Sequence, residues 1–202
     1  MQFRKLFDAL KKEFSHIPTP IKKFGIKALL FFIAWQTLYL LFFLQNRTLD
    51  KPLSLLTGKT TVYILNAIKF SDSLSAKETS VYLNRDNQIS NYEKTTIFLA
   101  NKKLIGISDS CNGLSLFLLY VGFIVSYPSK LKSKVLFILI GSFIIFFANV
   151  MRCVLLSMIQ FNSPKYLDFA HHYLFNVLIY SLVFYLWIIF SKKNTLIKKQ
   201  ND

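Results

Sequence analysis

Cysteines and acidic residues are scarce in this sequence, and each scarcity narrows the classes of protein to which it can belong. Only two cysteines, Cys111 and Cys153, occur in 202 residues, which excludes a disulfide framework and allows one bridge at most. Ten acidic residues stand against 25 lysines and arginines, so the formal net charge is +15. Such an excess of positive charge indicates a negatively charged binding partner, and nucleic acids and membrane surfaces are the two classes to consider.

Hydrophobic residues are abundant, and their amount favours the membrane. They make up 53% of the chain, which holds 21 phenylalanines and has a mean hydropathy of +0.39. An ordinary soluble domain of this length does not carry so much apolar surface outside its core. The lysines and arginines gather at the ends of apolar runs, as they do on the cytoplasmic flanks of membrane helices. We therefore predict the lipid bilayer as a partner and do not expect nucleic acid binding.

Four apolar runs predict an all-α integral membrane protein with four transmembrane helices, at about residues 26–44, 111–127, 135–159 and 172–190. The first run holds nineteen residues with a single charge at its edge, enough to cross a hydrocarbon layer of about 30 Å. It follows a long basic leader, so we expect a membrane span (25–44) rather than a cleavable signal peptide. The last three runs would form a three-helix membrane core over residues 111–190.

The leader, residues 1–24, has the pattern of a helix lying in the membrane interface. Its apolar residues fall on one face at helical spacing and its basic residues on the other, before Pro18 and Pro20 end the pattern. A solvated helix of a soluble segment is the alternative. The tail, residues 191–202, is also basic.

Residues 45–110 differ in composition from the rest, with charges of both signs and several turn signals. We interpret them as a small α+β insertion outside the membrane, whose fold the sequence does not determine. The segments Asp50–Pro52 and Thr57–Lys59 resemble turns, and Thr60–Phe70 resembles a short helix. Three segments have β-type composition, and the last two, 95–99 and 104–107, predict a hairpin.

Orientation follows from the distribution of lysine and arginine. With four spans, the leader, the loop 128–134 and the tail must share one side of the membrane, and all three are basic. The positive-inside rule makes that side cytoplasmic, so both termini lie inside and the 45–110 insertion lies outside. We predict a multi-pass protein of the cell (inner or cytoplasmic) membrane whose 160–170 loop is also outside.

Three reactive residues fall at the same predicted depth. Cys111 opens the second helix at its outer end, Arg152 lies about eighteen residues into the third, and His172 opens the fourth. A cysteine attacks as thiolate, and a histidine is the usual general base near neutral pH. An arginine can stabilise a developing oxyanion. Together they point to thioester-forming cleavage of an acyl or peptide bond at the outer membrane face, with Cys111, Arg152 and His172 as catalytic residues.

Each of these residues also has a structural interpretation. Cysteines in membrane helices are usually small packing residues, as we expect of Cys153, and an arginine near a helix end can extend to the headgroups. The two adjacent histidines differ in helical face. His172 shares its face with Asn176, which favours it over His171 as the residue facing the bundle interior.

Further polar residues would support the site. Asn149 lies three positions before Arg152 on one helical face, where it can brace or share the site. Asp109 lies two positions before Cys111 and could orient a basic partner. We expect no cofactor and no metal, because adjacent histidines do not point the same way on a helix.

Three blocks of this sequence resemble the signature of the exosortase/archaeosortase family. Asp109-Ser110-Cys111-Asn112-Gly113 matches an acidic residue, any residue, Cys, Ser or Asn, and Gly. Ala148-Asn149-Val150-Met151-Arg152 contains Asn, two residues and Arg, and His172 precedes an apolar helix. The match covers roughly residues 105–190. The short chain and its His-His-Tyr block look most similar to the compact XrtF-type exosortases.

The resemblance implies a function. Family members are polytopic membrane enzymes thought to act as cysteine transpeptidases on a C-terminal sorting signal, made of a short motif, a transmembrane helix and a basic tail. It implies that Cys111 is the nucleophile, Arg152 the substrate-orienting or oxyanion-stabilising group and His172 the acid/base. The expected partner is a single-span membrane protein. A different class of function is a non-enzymatic subunit of a protein export or cell-surface assembly complex, in which Arg152 and His172 only join helices.

Overall fold

A computed structural model describes residues 19–43, 47–71, 73–85 and 88–199; the predicted interface helix of the leader lies almost wholly outside this part of the chain. The helices are α1 (Thr19–Leu38), α2 (Asp50–Ala67), α3 (Leu114–Ser126), α4 (Leu131–Asn162), α5 (Leu167–Phe169) and α6 (Phe175–Lys199). The strands are β1 (Leu74–Arg85), β2 (Gln88–Leu99) and β3 (Lys102–Ile107). Shorter turns of other helix types lie at Tyr39–Phe43, Asp109–Cys111, Pro164–Tyr166 and Ala170–Leu174.

Three described helical segments are long and apolar enough to cross a membrane. They are Ile21–Phe42, Leu131–Asn162 and Pro164–Asn194. The remaining apolar helix, α3, has 13 residues and a length of about 20 Å, which is short for a layer of about 30 Å. The chain is thus a multi-pass integral membrane protein that is mostly helical and carries one small sheet.

Helix α4 takes part in two apolar cores. It is long enough to reach both, because its 32 residues extend well beyond the thickness of a bilayer. Its first half packs with α3 and α6 around the buried Tyr120, Ile145 and Phe190. Its second half packs against α2 and the sheet, around Leu65, Ile97, Ile107, Val150 and Cys153. The insertion between α1 and α3 is therefore packed directly on the end of the helix bundle.

The predicted turns at Asp50–Pro52 and Thr57–Lys59 are wrong, since both segments lie within α2. Proline is compatible with the first turn of a helix, where its missing N–H costs nothing. Gly58 has a packing role instead of a turn role: a Cβ added there would come within 2.7 Å of Thr95 Cγ2 on β2. The glycine thus permits close approach of helix and sheet, which sequence patterns do not distinguish from a turn.

The sheet is antiparallel with strand order β1-β2-β3. The segments of β-type composition lie in these strands, and the structure contains the expected hairpin between β2 and β3. Its turn is formed by Ala100 and Asn101, both with positive φ, of 46° and 66°. Two positive-φ residues match the right-handed twist of the flanking strands. The hairpin presents β3 to α4, and this contact forms one wall of the site described next.

A π-helical turn precedes the last long helix. Pro164–Tyr166 and α5 lead into Ala170–Leu174, which has π-type hydrogen bonding, and α6 continues from it. Such a turn is wider than an α-helical one and changes which side chains share a face. The two histidines, His171 and His172, lie within it. Faces assigned from ordinary α-helical periodicity therefore do not apply to them.

Candidate active site

Cys111 lies at the end of a 3₁₀ turn, Asp109–Cys111, that leads into α3. Gly113 follows with φ of +89°, a conformation that other residues rarely adopt. The Asn112 side-chain oxygen accepts a hydrogen bond of 2.9 Å from the Leu114 N–H at the start of α3. This Asn side chain satisfies a backbone donor that the helix leaves free. The sequence Cys-Asn-Gly-Leu thus encodes a tight corner with the cysteine at its apex.

Two acidic residues hold this corner. Asn112 is 1% exposed, and its Nδ2 donates to Asp50 Oδ1 at 2.7 Å. The other oxygen of the buried Asp50 accepts a 2.6 Å bond from the Tyr39 hydroxyl. On the other side of Cys111, Asp109 binds Arg47, whose Nε and one Nη donate to its two carboxylate oxygens. The start of α2 and the turn before it therefore bind the cysteine corner at two residues, Asn112 and Asp109.

His171 contacts the thiol. Its Nε2 lies 3.3 Å from Cys111 Sγ, within hydrogen-bonding distance for sulfur. His172 points elsewhere: its Nε2 lies 3.4 Å from Asp168 Oδ1, and its side chain is 59% exposed. The two imidazole rings touch edge to face, with centroids 4.6 Å apart. Geometry thus places His171, rather than His172, next to the thiol, and the π turn gives the physical reason for the difference from our expectation.

Arg152 is buried beside this pair, with 7% of its surface exposed. One of its Nη groups lies 3.5 Å from the His171 carbonyl oxygen. Asn149, one helical turn earlier on α4, donates from Nδ2 to the Cys111 carbonyl oxygen at 3.3 Å. Helix α4 thus supports both halves of the site, since Asn149 contacts the cysteine corner and Arg152 contacts the histidine turn.

Cys111, Arg152 and His171 line a cavity of about 570 Å³. The sheet forms its opposite wall, which includes Lys94 of β2 and Lys103 of β3. Burial and the neighbouring Lys103 ammonium lower the pKa of Lys94 below its ordinary value. This space, which we call the sheet-side cavity, therefore has two lysines in the wall formed by the sheet and the thiol–imidazole pair in the wall facing it.

The other predicted residues have distinct positions. Asn176 does not reach the cysteine: its Nδ2 donates to the His172 carbonyl oxygen at 2.9 Å, although it lines a second, smaller cavity with both histidines. Cys153 is a free, buried cysteine in the apolar cluster, as expected of a packing residue. Among the described residues, no group of three or more His, Cys, Asp or Glu side chains is arranged to hold a metal ion.

Sequence reasoning missed Arg47, Asp50 and Tyr39. Arg47 and Asp50 were assigned to a polar insertion, and Tyr39 to an apolar span. The available signal was the presence of two opposite charges, Arg47 and Asp50, directly after a membrane run. Their partners lie 62 positions away, and no local pattern reveals such a pairing.

Comparison with known proteins identifies the family of the chain. The chain matches the family model described as "Transmembrane exosortase (Exosortase_EpsH)" over residues 23–190, which includes α2, the sheet and every residue of the site. Neither the curated proteins nor the solved structures yielded a match. The family model covers most of the chain, from within α1 to within α6. The protein therefore belongs to the transmembrane exosortase family.

Proposed function

We propose that this exosortase is a membrane-embedded cysteine peptidase or transpeptidase that cleaves a single-span membrane protein near the outer leaflet. The observation that carries the proposal is the 3.3 Å approach of His171 Nε2 to Cys111 Sγ, beside a buried Arg152. A thiol needs a base to become a nucleophile, and a buried arginine needs an anionic or dipolar partner to offset its desolvation. A purely structural role for Arg152 would explain its burial but not the close approach of the imidazole to the thiol.

The reaction would proceed in two stages. His171 Nε2 takes the thiol proton, and the sulfur of Cys111 attacks the scissile carbonyl carbon, forming a C–S bond and an oxyanion. Arg152 supplies donors to that oxygen from a site where water is largely excluded. The C–N bond then breaks, and His171 returns its proton to the leaving amine. The resulting thioester is resolved by water, giving hydrolysis, or by an acceptor amine, giving transpeptidation.

We further propose four membrane spans with both termini in the cytoplasm. Helix α3 is the additional span, beside the three helical segments that are long enough to cross a membrane. The basic loop 128–134 and the basic tail support this orientation. A helix of about 20 Å would place Cys111 near the outer edge of the hydrocarbon layer rather than above it. The insertion then covers the site from outside. The short chain and the His-His-Tyr block favour the compact XrtF type within the family.

The test is processing of the natural membrane substrate in cells. We expect Cys111→Ala and Arg152→Ala proteins to insert normally and to accumulate the uncleaved precursor. Cys153→Ala is the matched control, because this cysteine packs in the core and should leave processing active. If Cys111→Ala and Arg152→Ala cells still process the precursor, the enzyme proposal is wrong, and a non-enzymatic role in an export or assembly complex takes its place.

A further inference from the structure

A second cavity meets the sheet-side cavity at the thiol–imidazole pair. It has a volume of about 220 Å³ and shares Cys111, Arg152 and His171 with the first. Most of its remaining lining comes from α3 and α6, including Leu116, Ile179 and Tyr180. Two openings thus leave the same reactive atoms, one beneath the sheet and one between two membrane helices.

A further cavity lies along the same two helices. It has a volume of about 540 Å³, shares Tyr180 with the second cavity, and is lined by Leu119 of α3 together with Phe184, Trp187 and Ile188 of α6. We call the two spaces together the α3/α6 groove. Tyr180, Phe184 and Ile188 are spaced four apart on one helical face. Ile188 lies seventeen residues after His171, so the groove extends about 26 Å from the reactive pair.

The groove and the sheet-side cavity differ in polarity. The described residues lining the deeper part of the groove carry no charge, and large side chains are exposed there, with Tyr180 at 55% and Phe184 at 60%. The sheet-side cavity instead has Lys94 and Lys103 in its wall. A chain crossing the thiol would therefore pass from a polar, basic space into an apolar one within a few residues.

We propose that the α3/α6 groove binds the apolar transmembrane helix of the substrate, with the scissile bond over Cys111 and the extramembrane segment in the sheet-side cavity. The inference deepens the proposed function and rests on it. A single-span protein has the same change of polarity, and a length of about 26 Å matches most of a hydrocarbon layer. The groove also begins at the reactive pair, and the described lining of its deeper part carries no charge, whereas the cavity between α1 and α3 is lined by Asp50 and Asp109.

The direction of the substrate along this path follows from the C-terminal sorting signal that the family resemblance implies. The acyl part that stays on Cys111 lies on the side of the sheet, and the leaving amine belongs to the chain that enters the membrane. The released outer product is therefore the N-terminal part, and the product kept in the groove is the membrane helix with its cytoplasmic tail.

The experiment is photocrosslinking in native membranes. p-Benzoylphenylalanine replaces Phe184 in the groove, Lys103 in the sheet-side cavity, or Phe143 on α4 as a control of similar exposure (64%) outside both spaces. All three proteins carry Cys111→Ala to prevent cleavage, and crosslinked peptides are sequenced by mass spectrometry. We expect position 184 to capture an apolar segment, and position 103 to capture a polar segment N-terminal to it in the same protein. Position 143 should capture neither.

Three results would overturn the proposal: only lipid captured at position 184, equal capture of the apolar segment at position 143, or the reverse order of the two segments. The length of the captured protein is compared separately in membranes with wild-type enzyme and with Cys111→Ala. An unchanged length contradicts cleavage, whatever the crosslinks show. A lengthened precursor without capture at position 184 contradicts the groove alone.

Discussion

Asp50 and Asn112 form a hydrogen bond of 2.7 Å between side chains that are each at least 98% buried, although 62 positions separate them in the sequence. Through this bond, the first turn of α2 fixes the residue next to Cys111. The geometry of the nucleophile therefore depends on the Asp50 carboxylate, which acts through the neighbouring Asn112.

Replacing Asp50 by Ala should lower both stability and thiol reactivity. The change removes the acceptor of the Tyr39 hydroxyl and leaves Asn112 Nδ2 with only its 3.4 Å bond to the carbonyl oxygen of residue 50, at a cost of about 1 to 3 kcal/mol. The apparent unfolding temperature in detergent and the alkylation rate of Cys111 measure the two effects. Lys59→Ala, an exposed change on the same helix, is the control. Unchanged alkylation in Asp50→Ala would show that the corner is held without this bond.

The two histidines should separate cleanly by substitution. His171→Ala removes the group next to the thiol and should reduce precursor processing by at least about 100-fold, the scale of lost acid–base catalysis. His172→Ala should retain most activity, because its ring faces Asp168. Retained processing in His171→Ala with loss in His172→Ala would restore the assignment that helical periodicity predicts.

The same pair should also differ in their effect on the rate of Cys111 alkylation. His171→Ala should slow the alkylation of Cys111 at a fixed neutral pH, because the imidazole that can accept the thiol proton is gone. His172→Ala should leave the alkylation rate unchanged. Mass spectrometry of the labelled peptide separates Cys111 from the buried Cys153. Equal rates in all three proteins would contradict a functional thiol–imidazole pair.

Gly113→Ala should destabilise the corner beneath Cys111. Its φ of +89° is strained for any residue with a Cβ, which costs about 1 to 2 kcal/mol, and the added atom would come within 3.2 Å of Asn149 Nδ2. Gly25→Ala in α1 is the matched control, since a Cβ there meets no atom within 4 Å. The control should be neutral or slightly stabilising in a thermal unfolding assay. Equal unfolding temperatures for the two variants would argue against strain at the corner.

Orientation can be tested with a thiol reagent that does not cross membranes. In intact cells or spheroplasts it should label Cys111 from outside through the sheet-side cavity. Prior treatment with the reagent should block later labelling by a permeant one. Labelling that requires access from the cytoplasm would reverse the proposed topology.

The sequence predicted three of the membrane helices well because each is a long apolar run whose periodicity need not be known. The predicted second span, 111–127, is the 13-residue helix α3. The sequence also brought together Cys111 and Arg152, since alternating helix directions carry both to one level. It misassigned Gly58 because a glycine at a close helix–sheet contact resembles a glycine in a turn. It could not find Arg47 and Asp50, whose role depends on contacts across the fold, and it chose between the histidines on α-helical geometry that the chain does not adopt there.

The π turn at Ala170–Leu174 has a consequence for insertions and deletions. It accommodates one residue more than an α-helical turn would, so removing a single residue just before His171 would allow ordinary α-helical bonding with α6 unmoved. His172 would then occupy the direction that His171 has now. The histidine that faces Cys111 thus depends on the register of this turn, and a change of one residue in its length would exchange the two imidazoles.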